Sequence, residues 1–279
     1  MAVMGWILLV AAVAPAVFLL HYIYVRDRYE REPLGLVLKV FFISFLTVIP
    51  AALIEGILLS GGLDTAGLIG VAVASWAVIA LSEEFFKYTA VRWLVVSHPA
   101  FNEVYDGILY TVAASLGFAV VENVMYVFLA EGSGMLVASL RALLSVPGHA
   151  LWGVMMGYYI GLARMEPNKA KKRPLVLRGI FTAIFWHGLY DYFAFGTEIV
   201  NDSVILVFGL GVLVVIAINW VIAWRMIRHA QELSPFNAPH PLSAVAALAQ
   251  PGIKFCHHCG LRQARLNPSC EKCGYKFPR

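Results

Sequence analysis

The sequence predicts an all-α polytopic membrane protein of about seven transmembrane helices, with its N-terminus outside, its C-terminus cytoplasmic and a small cysteine-rich module at the end. Three observations carry that expectation. Of 279 residues, 60% are hydrophobic and 14% charged, and mean hydropathy is +0.75. A soluble domain is about half apolar and a quarter charged. Seven apolar stretches are long enough to cross a hydrocarbon core of about 30 Å, which takes about 20 helical residues. All four cysteines crowd between Cys256 and Cys273, outside every apolar stretch.

The first stretch runs from Met4 to Val25 and ends at Arg26-Asp27-Arg28. It is too long for a signal-peptide core and lacks a basic residue before it and a convincing cleavage site, so it reads as a retained helix. The second follows Pro33, a good first-turn residue, and runs to Leu59, where Ser60-Gly61-Gly62 breaks it. The third runs from Gly67 to Val96 and is closed by Ser97-His98-Pro99. The fourth covers Val104 to Ala130. The fifth covers Met135 to Leu162, interrupted by Pro147-Gly148. The sixth follows Pro174 and ends near Gly196, and the seventh covers Val204 to Ile227.

Basic residues set the orientation, because cytoplasmic loops collect them. Arg26, Arg28 and Arg31 lie in the first loop, and Arg164, Lys169, Lys171, Lys172 and Arg173 in the fifth. Arg225 and Arg228 begin the tail. The second, fourth and sixth loops hold no Lys or Arg and carry Asp64, Glu131, Glu198 and Asp202. Seven crossings put every basic loop on one side. Residues 1–229 therefore read as a membrane domain and 230–253 as an Ala/Pro-rich linker. Residues 254–279 form the tail module.

Cys256-x2-Cys259 and Cys270-x2-Cys273 are each followed by glycine (Gly260, Gly274), which lets the chain turn tightly under the sulfurs. Four thiolates suit tetrahedral Zn²⁺. So short a segment has almost no core, and its fold must come from the metal. The module reads as a structural zinc ribbon with a docking or regulatory use, its partner a cytosolic protein rather than nucleic acid. Clustered CxxC pairs fit a metal site in a reducing compartment better than a disulfide framework.

The chemistry-bearing residues lie inside the apolar stretches. Glu83, Glu84 and Lys87 sit deep in the third, where a single charge costs roughly 2.5–3.5 kcal/mol on insertion scales. Spacings of three and four on a helix let Lys87 reach either carboxylate. Successive residues diverge by about 100°, so one glutamate faces a site squarely while the other flanks it. Glu122 lies in the fourth stretch, and His149 follows Pro147-Gly148, where a broken ladder needs partners. His187 and Asp191 are four apart, so Asp191 can orient the imidazole. The bland alternatives are a hydrogen-bonded structural histidine at His149 and a plain ion-pair partner for Lys87 at Glu122. Glu55 reads as solvated near the outer surface, and Arg92, Arg141 and Arg178 as snorkelling.

Glu83-Glu84-x-x-Lys87, Phe118-x-x-x-Glu122, His149 and His187-x-x-x-Asp191, in that order on successive helices, resemble the motif series of the PrsW family of intramembrane proteases. The resemblance spans roughly Arg26 to Phe195. It implies that Glu83, Glu84 and His187 are essential, that the protein sits in the cell membrane as a multi-pass protease, and that its substrate is a membrane-anchored protein. Site-1 cleavage of an anti-sigma factor is the role it implies. The zinc ribbon departs from the minimal family pattern.

Peptide hydrolysis needs a water, a base and a proton donor to the leaving amine. Crowded carboxylates can hold a proton and a charge together. One of Glu83 and Glu84 is then the base. His187, oriented by Asp191, stabilises the oxyanion or protonates the amine, with Glu122 and His149 completing the site. In a metal variant His149, His187 and a carboxylate hold Zn²⁺, although no His-Glu-x-x-His motif is present. Two other classes compete: a proton-coupled transporter or channel, which has no inverted repeat to support it, and a non-catalytic sensor or scaffold with a cytosolic ribbon.

Overall fold

The structure, a computed structural model, describes residues 2–61, 67–130, 132–237, 253–256, 262–264 and 267–277. Gly62, Asp64, Glu131, Cys259, Gly260 and most of the 230–253 linker lie outside the described residues.

Helix α1 (Ala2–Val25) ends at the charged turn. Helix α2 (Leu34–Ile43) starts after Pro33 and passes through a tight 3₁₀ turn at Ser44–Thr47 into α3 (Val48–Ser60). The Thr47 hydroxyl donates to the Ser44 carbonyl at 2.6 Å within that turn. Helix α4 (Leu68–Val73), a π-helical segment at Ala74–Ala80 and α5 (Leu81–Leu94) form one continuous span. Helix α6 (Val104–Leu129) opens on a reciprocal cap between Glu103 and Asp106. Helix α7 (Gly134–Leu143) breaks at Leu144 before α8 (Ser145–Met165). Pro147 therefore falls in a first turn, where its missing amide has no helical partner to lose. Helices α9 (Lys169–Ile199) and α10 (Asp202–Glu232) complete the bundle. In the tail, β1 (Ile253–Phe255) pairs antiparallel with β2 (Arg262–Ala264), with Lys254 opposite Gln263.

Six spans of described residues are long and apolar enough to cross a membrane: Val3–Val25, Leu34–Ser60, Leu68–Leu94, Val104–Leu129, Gly134–Met165 and Asp202–Glu232. The protein is thus an all-α polytopic membrane protein. The sixth expected span, now α9, falls short on composition because even the part after Pro174 carries Arg178, His187 and Asp191 among its apolar residues. It is nonetheless 31 residues long, joined to α8 and α10 by short turns and packed against both. Its start also differs from the expected Pro174. The Asn168 side chain caps it, accepting from the Ala170 amide at 2.9 Å, and Pro174 sits inside the helix.

The core is centred on α6, whose residues from Val104 to Val120 are all buried, with α8 as its main neighbour. Gly107 and Gly157 set the distance between them. A Cβ built on Gly157 would lie 2.2 Å from the Gly107 carbonyl oxygen. Such small-residue seams are how helices approach closely where lipid removes the hydrophobic drive. The seam fixes α8, and with it the histidine on its first turn.

At the expected cytoplasmic end, the first loop folds back on the start of α6. The Tyr105 hydroxyl donates to the Ile23 carbonyl at 2.7 Å, the Tyr110 hydroxyl to the Glu32 carboxylate, and Gln231 to the Arg26 carbonyl at 2.7 Å. This closure buries Asp27, Glu30, Glu32 and Glu103 beside Asp106. Burial pushes the Asp27 and Glu30 carboxyls up to about 7, Glu32 to about 8 and Glu103 to about 9, with mutual repulsion adding to the last two. Arg31, the guanidinium acting on Asp27, is itself exposed.

Two expectations follow. Gly157→Val should destabilise the solubilised protein by about 3 kcal/mol through overpacking, while Gly56→Ala, with nothing within 4 Å, should not move the melting midpoint. For the loop acids, a folded-state pKa above the unfolded value means that the folded chain keeps protons the unfolded chain has released. Their contribution is complete below about pH 4 and is lost as pH rises towards about 9. In divalent-free buffer the melting midpoint should therefore fall steadily from about pH 5 to about pH 9, and Glu103→Gln should flatten that slope.

Candidate active site

The π-helical segment at Ala74–Ala80 leads directly into the first turn of α5, which carries Glu83, Glu84 and, one turn on, Lys87. Trp76 anchors this span to α9 by donating its indole N–H to the Phe185 carbonyl at 3.1 Å. Glu83 is 4% exposed, and Glu84 and Lys87 are 0% exposed. The Lys87 ammonium donates to Glu83 Oε2 at 2.9 Å and Glu84 Oε1 at 2.7 Å, and lies 3.0 Å from His149 Nδ1. Three protons meet three acceptors, so His149 Nδ1 carries no proton and Nε2 does. The Phe118 ring lies 4.4 Å from the same ammonium.

His149 Nε2 is 2.9 Å from Glu122 Oε2, so the carboxylate faces the protonated side of the neutral ring. Glu122 also pairs with Arg141 at 3.1 Å. His187 Nδ1 is hydrogen-bonded to Glu84 Oε1 at 3.0 Å. Its Nε2 lies 3.3 Å from Asp191 Oδ2 and 3.9 Å from Glu83 Oε2. Trp152 stacks on the His187 ring, with centroids 4.0 Å apart and planes 13° apart. The stack fixes the ring plane, and Glu84 and Asp191 fix its rotation.

These groups border a cavity of about 720 Å³, within the range of small-molecule and peptide sites. Glu83, Glu122, His149, His187 and Asp191 line it, while Glu84 and Lys87 stand behind the wall. The lining also includes Glu55, Leu59 and Glu198 towards the end where α3 and α9 finish.

The structure thus brings together Glu83, Glu84, Lys87, Glu122, His149, His187 and Asp191. Three readings of the sequence need correction. Glu122 pairs with Arg141 and His149 rather than Lys87, because the ammonium's three protons are already taken. Arg141 does not snorkel: it reaches inward to Glu122 and the Asn123 amide and lies over the Tyr126 ring. Glu55 faces the cavity and accepts from the Ser82 hydroxyl at 2.8 Å. Trp152 went unnoticed, although its position three residues after His149 puts it on the same helix face.

Glu83, Glu84 and His149 have donor atoms within 4.8 Å of one another, a spacing a metal ion could bridge. The Lys87 ammonium lies among those donors, and every ring nitrogen of His149 and His187 already faces a protein group. As arranged, the donors do not fit a metal. In the tail, Cys256, Cys270 and Cys273 form a cluster that could hold one, with the Cys256 and Cys273 sulfurs 3.5 Å apart. Gly274 takes φ +73°, the left-handed turn expected under the second cysteine pair.

Comparison with known proteins gives the family. Residues 32–232 match the family described as PrsW family intramembrane metalloprotease. Protease PrsW of Geobacillus kaustophilus is 39% identical over 191 residues, 68% of this chain and 81% of the relative. Protease PrsW of Oceanobacillus iheyensis is 33% identical over 235 residues, 82% of this chain and 99% of the relative. Protease PrsW of Bacillus subtilis is 37% identical over 182 residues, 65% of this chain and 80% of the relative. No solved structure matches the chain. A match over most of the membrane domain, together with a buried acid–imidazole cavity, means that the chain belongs to the PrsW family and is an intramembrane protease.

Proposed function

We propose that the protein cleaves a membrane-anchored protein by water activation at Glu83, with no metal in the step. The observation that carries this reading is the division of the glutamates: Glu83 borders the cavity and Glu84 stands behind it. One ammonium cannot neutralise two carboxylates, so the pair keeps a negative charge with which to draw a proton from water. Glu83 takes that proton as the water oxygen bonds to the carbonyl carbon. His187, acting as the imidazolium with its Nδ1–H on Glu84 and its Nε2 beside Asp191, donates from Nε2–H to stabilise the oxyanion. When the C–N bond breaks, the proton on Glu83 passes to the departing amine. The products are a new carboxylate and a new amino terminus.

Lys87 and Glu84 are positioning residues: Lys87 fixes Glu83 and the His149 tautomer, and Glu84 fixes His187. Glu122, anchored by Arg141, holds the outer side of His149. An anti-sigma factor cut at site 1 is the substrate we propose, on the family resemblance.

We propose the same domain division as the sequence suggests, with the membrane domain at 1–229, the linker at 230–253 and the ribbon at 254–279. The ribbon takes structural Zn²⁺ on Cys256, Cys259, Cys270 and Cys273. Sulfurs bound at about 2.3 Å in tetrahedral geometry are separated by about 3.7 Å, and the 3.5 Å between Cys256 and Cys273 supports this. Its use is docking of a cytosolic protein.

The kinetic test uses full-length protein in proteoliposomes with single-span substrates. Glu83→Gln should lower kcat by about 10³-fold, while Glu84→Gln should lose less, about 10²-fold, and respond to pH differently because it acts through His187. Wild-type cleavage by Glu83→Gln defeats the assignment. A chelator should remove one Zn²⁺ per chain without stopping cleavage. Inhibition that persists when Cys256 and Cys270 are both Ser would put a metal in the membrane site instead.

A further inference from the structure

We propose that the acidic pocket beneath the first loop is a binding site for a hard divalent cation, held by Asp27, Glu103 and Asp106 and separate from the membrane cavity. The three come from two segments, the turn after α1 and the cap of α6. Each offers an oxygen within 4.8 Å of the others. Oxygens that share one ion at about 2.1–2.5 Å are never more than about 5 Å apart, so the spacing suits a common ligand.

The α6 cap alone would be an ordinary capping box. Asp106 Oδ2 accepts from the Asn102 and Glu103 amides at 2.7 and 2.8 Å, which leaves Oδ1 and Glu103 Oε2 buried without a donor. The independent observation is Asp27. It reaches this cap from the other segment and is 2% exposed; neither carboxylate oxygen has a donor in good hydrogen-bond geometry, the Glu30 and Glu32 backbone lying near but off line. Arg31, though close enough to act on Asp27, is exposed and makes no ion pair with it. A buried carboxylate without donor or counter-charge is costly. One carboxylate oxygen from each of three residues, within 4.8 Å of one another, supplies the kind of oxygen cluster a Mg²⁺, Ca²⁺ or Mn²⁺ ion needs. Glu30 and Glu32 lie alongside and add negative charge.

The site has a structural consequence. The bound ion would tie the first loop to the start of α6, the helix that carries Glu122. The end of α10 closes over the same place, where Gln231 bonds the Arg26 carbonyl and Ser234 reaches Glu103. The linker to the cysteine module leaves from this point.

The test uses full-length protein in detergent, stripped of divalent ions. Millimolar Mg²⁺, Ca²⁺ or Mn²⁺ should raise the melting midpoint of the wild type by about 5 °C or more, the effect of a ligand at about 100 times its Kd. Asp27→Asn and Glu103→Gln should abolish the rise, and a variant with Cys256 and Cys270 both replaced by Ser should keep it. Mn²⁺ binding followed by electron paramagnetic resonance on the wild type should show a site from which Mg²⁺ or Ca²⁺ displaces Mn²⁺, and that readout needs no folded variant. If no cation shifts the wild type and only acid stabilises it, the pocket holds shared protons and the proposal is wrong. An equal shift in Asp27→Asn and Glu103→Gln would place the ion elsewhere and overturn it as well.

Discussion

The membrane domain depends on one buried ammonium. Lys87 has no exposed surface, yet it satisfies all three of its protons on Glu83, Glu84 and His149. Through His149 it ties α5 to α8, and through Glu84 and His187 it ties α5 to α9. A charge at this depth is expensive unless fully paired, and breaking such a pair leaves an uncompensated charge. The lysine is therefore a register pin, which aligns three helices only when all its partners are present. The Phe118 face covers its remaining side.

The catalytic geometry proposed for the site follows from that pin. The same ammonium that holds Glu83 at the cavity leaves the pair with a net negative charge, and the glutamate behind the wall serves the imidazole in front of it. Structure and chemistry thus draw on the same three side chains.

Much of this was legible in the sequence because the bilayer makes charge rare. Glu83, Glu84, Lys87, Glu122, His149, His187 and Asp191 stand out against apolar stretches, and helical spacing alone pairs His187 with Asp191. What the sequence hid were partners chosen by tertiary geometry. Arg141 lies near a helix end, and its inward reach to Glu122 depends on how α7 packs against α6 beyond the break at Leu144. The π-helical segment has no sequence signature, and the start of α9 at Lys169 was hidden because Pro174 reads as a first-turn residue. The acidic pocket was missed because its residues sit in a loop read only for positive charge, with Glu103 and Asp106 far along the chain.

The central claim is that Lys87, rather than a metal ion, occupies the meeting point of Glu83, Glu84 and His149. A cryo-electron-microscopy map of the full chain in lipid nanodiscs, with side chains and bound ions visible, tests it most directly. The account predicts continuous density from the Lys87 ammonium to all three partners. An ion peak between Glu83 and the two imidazoles, with Lys87 turned away, would contradict it.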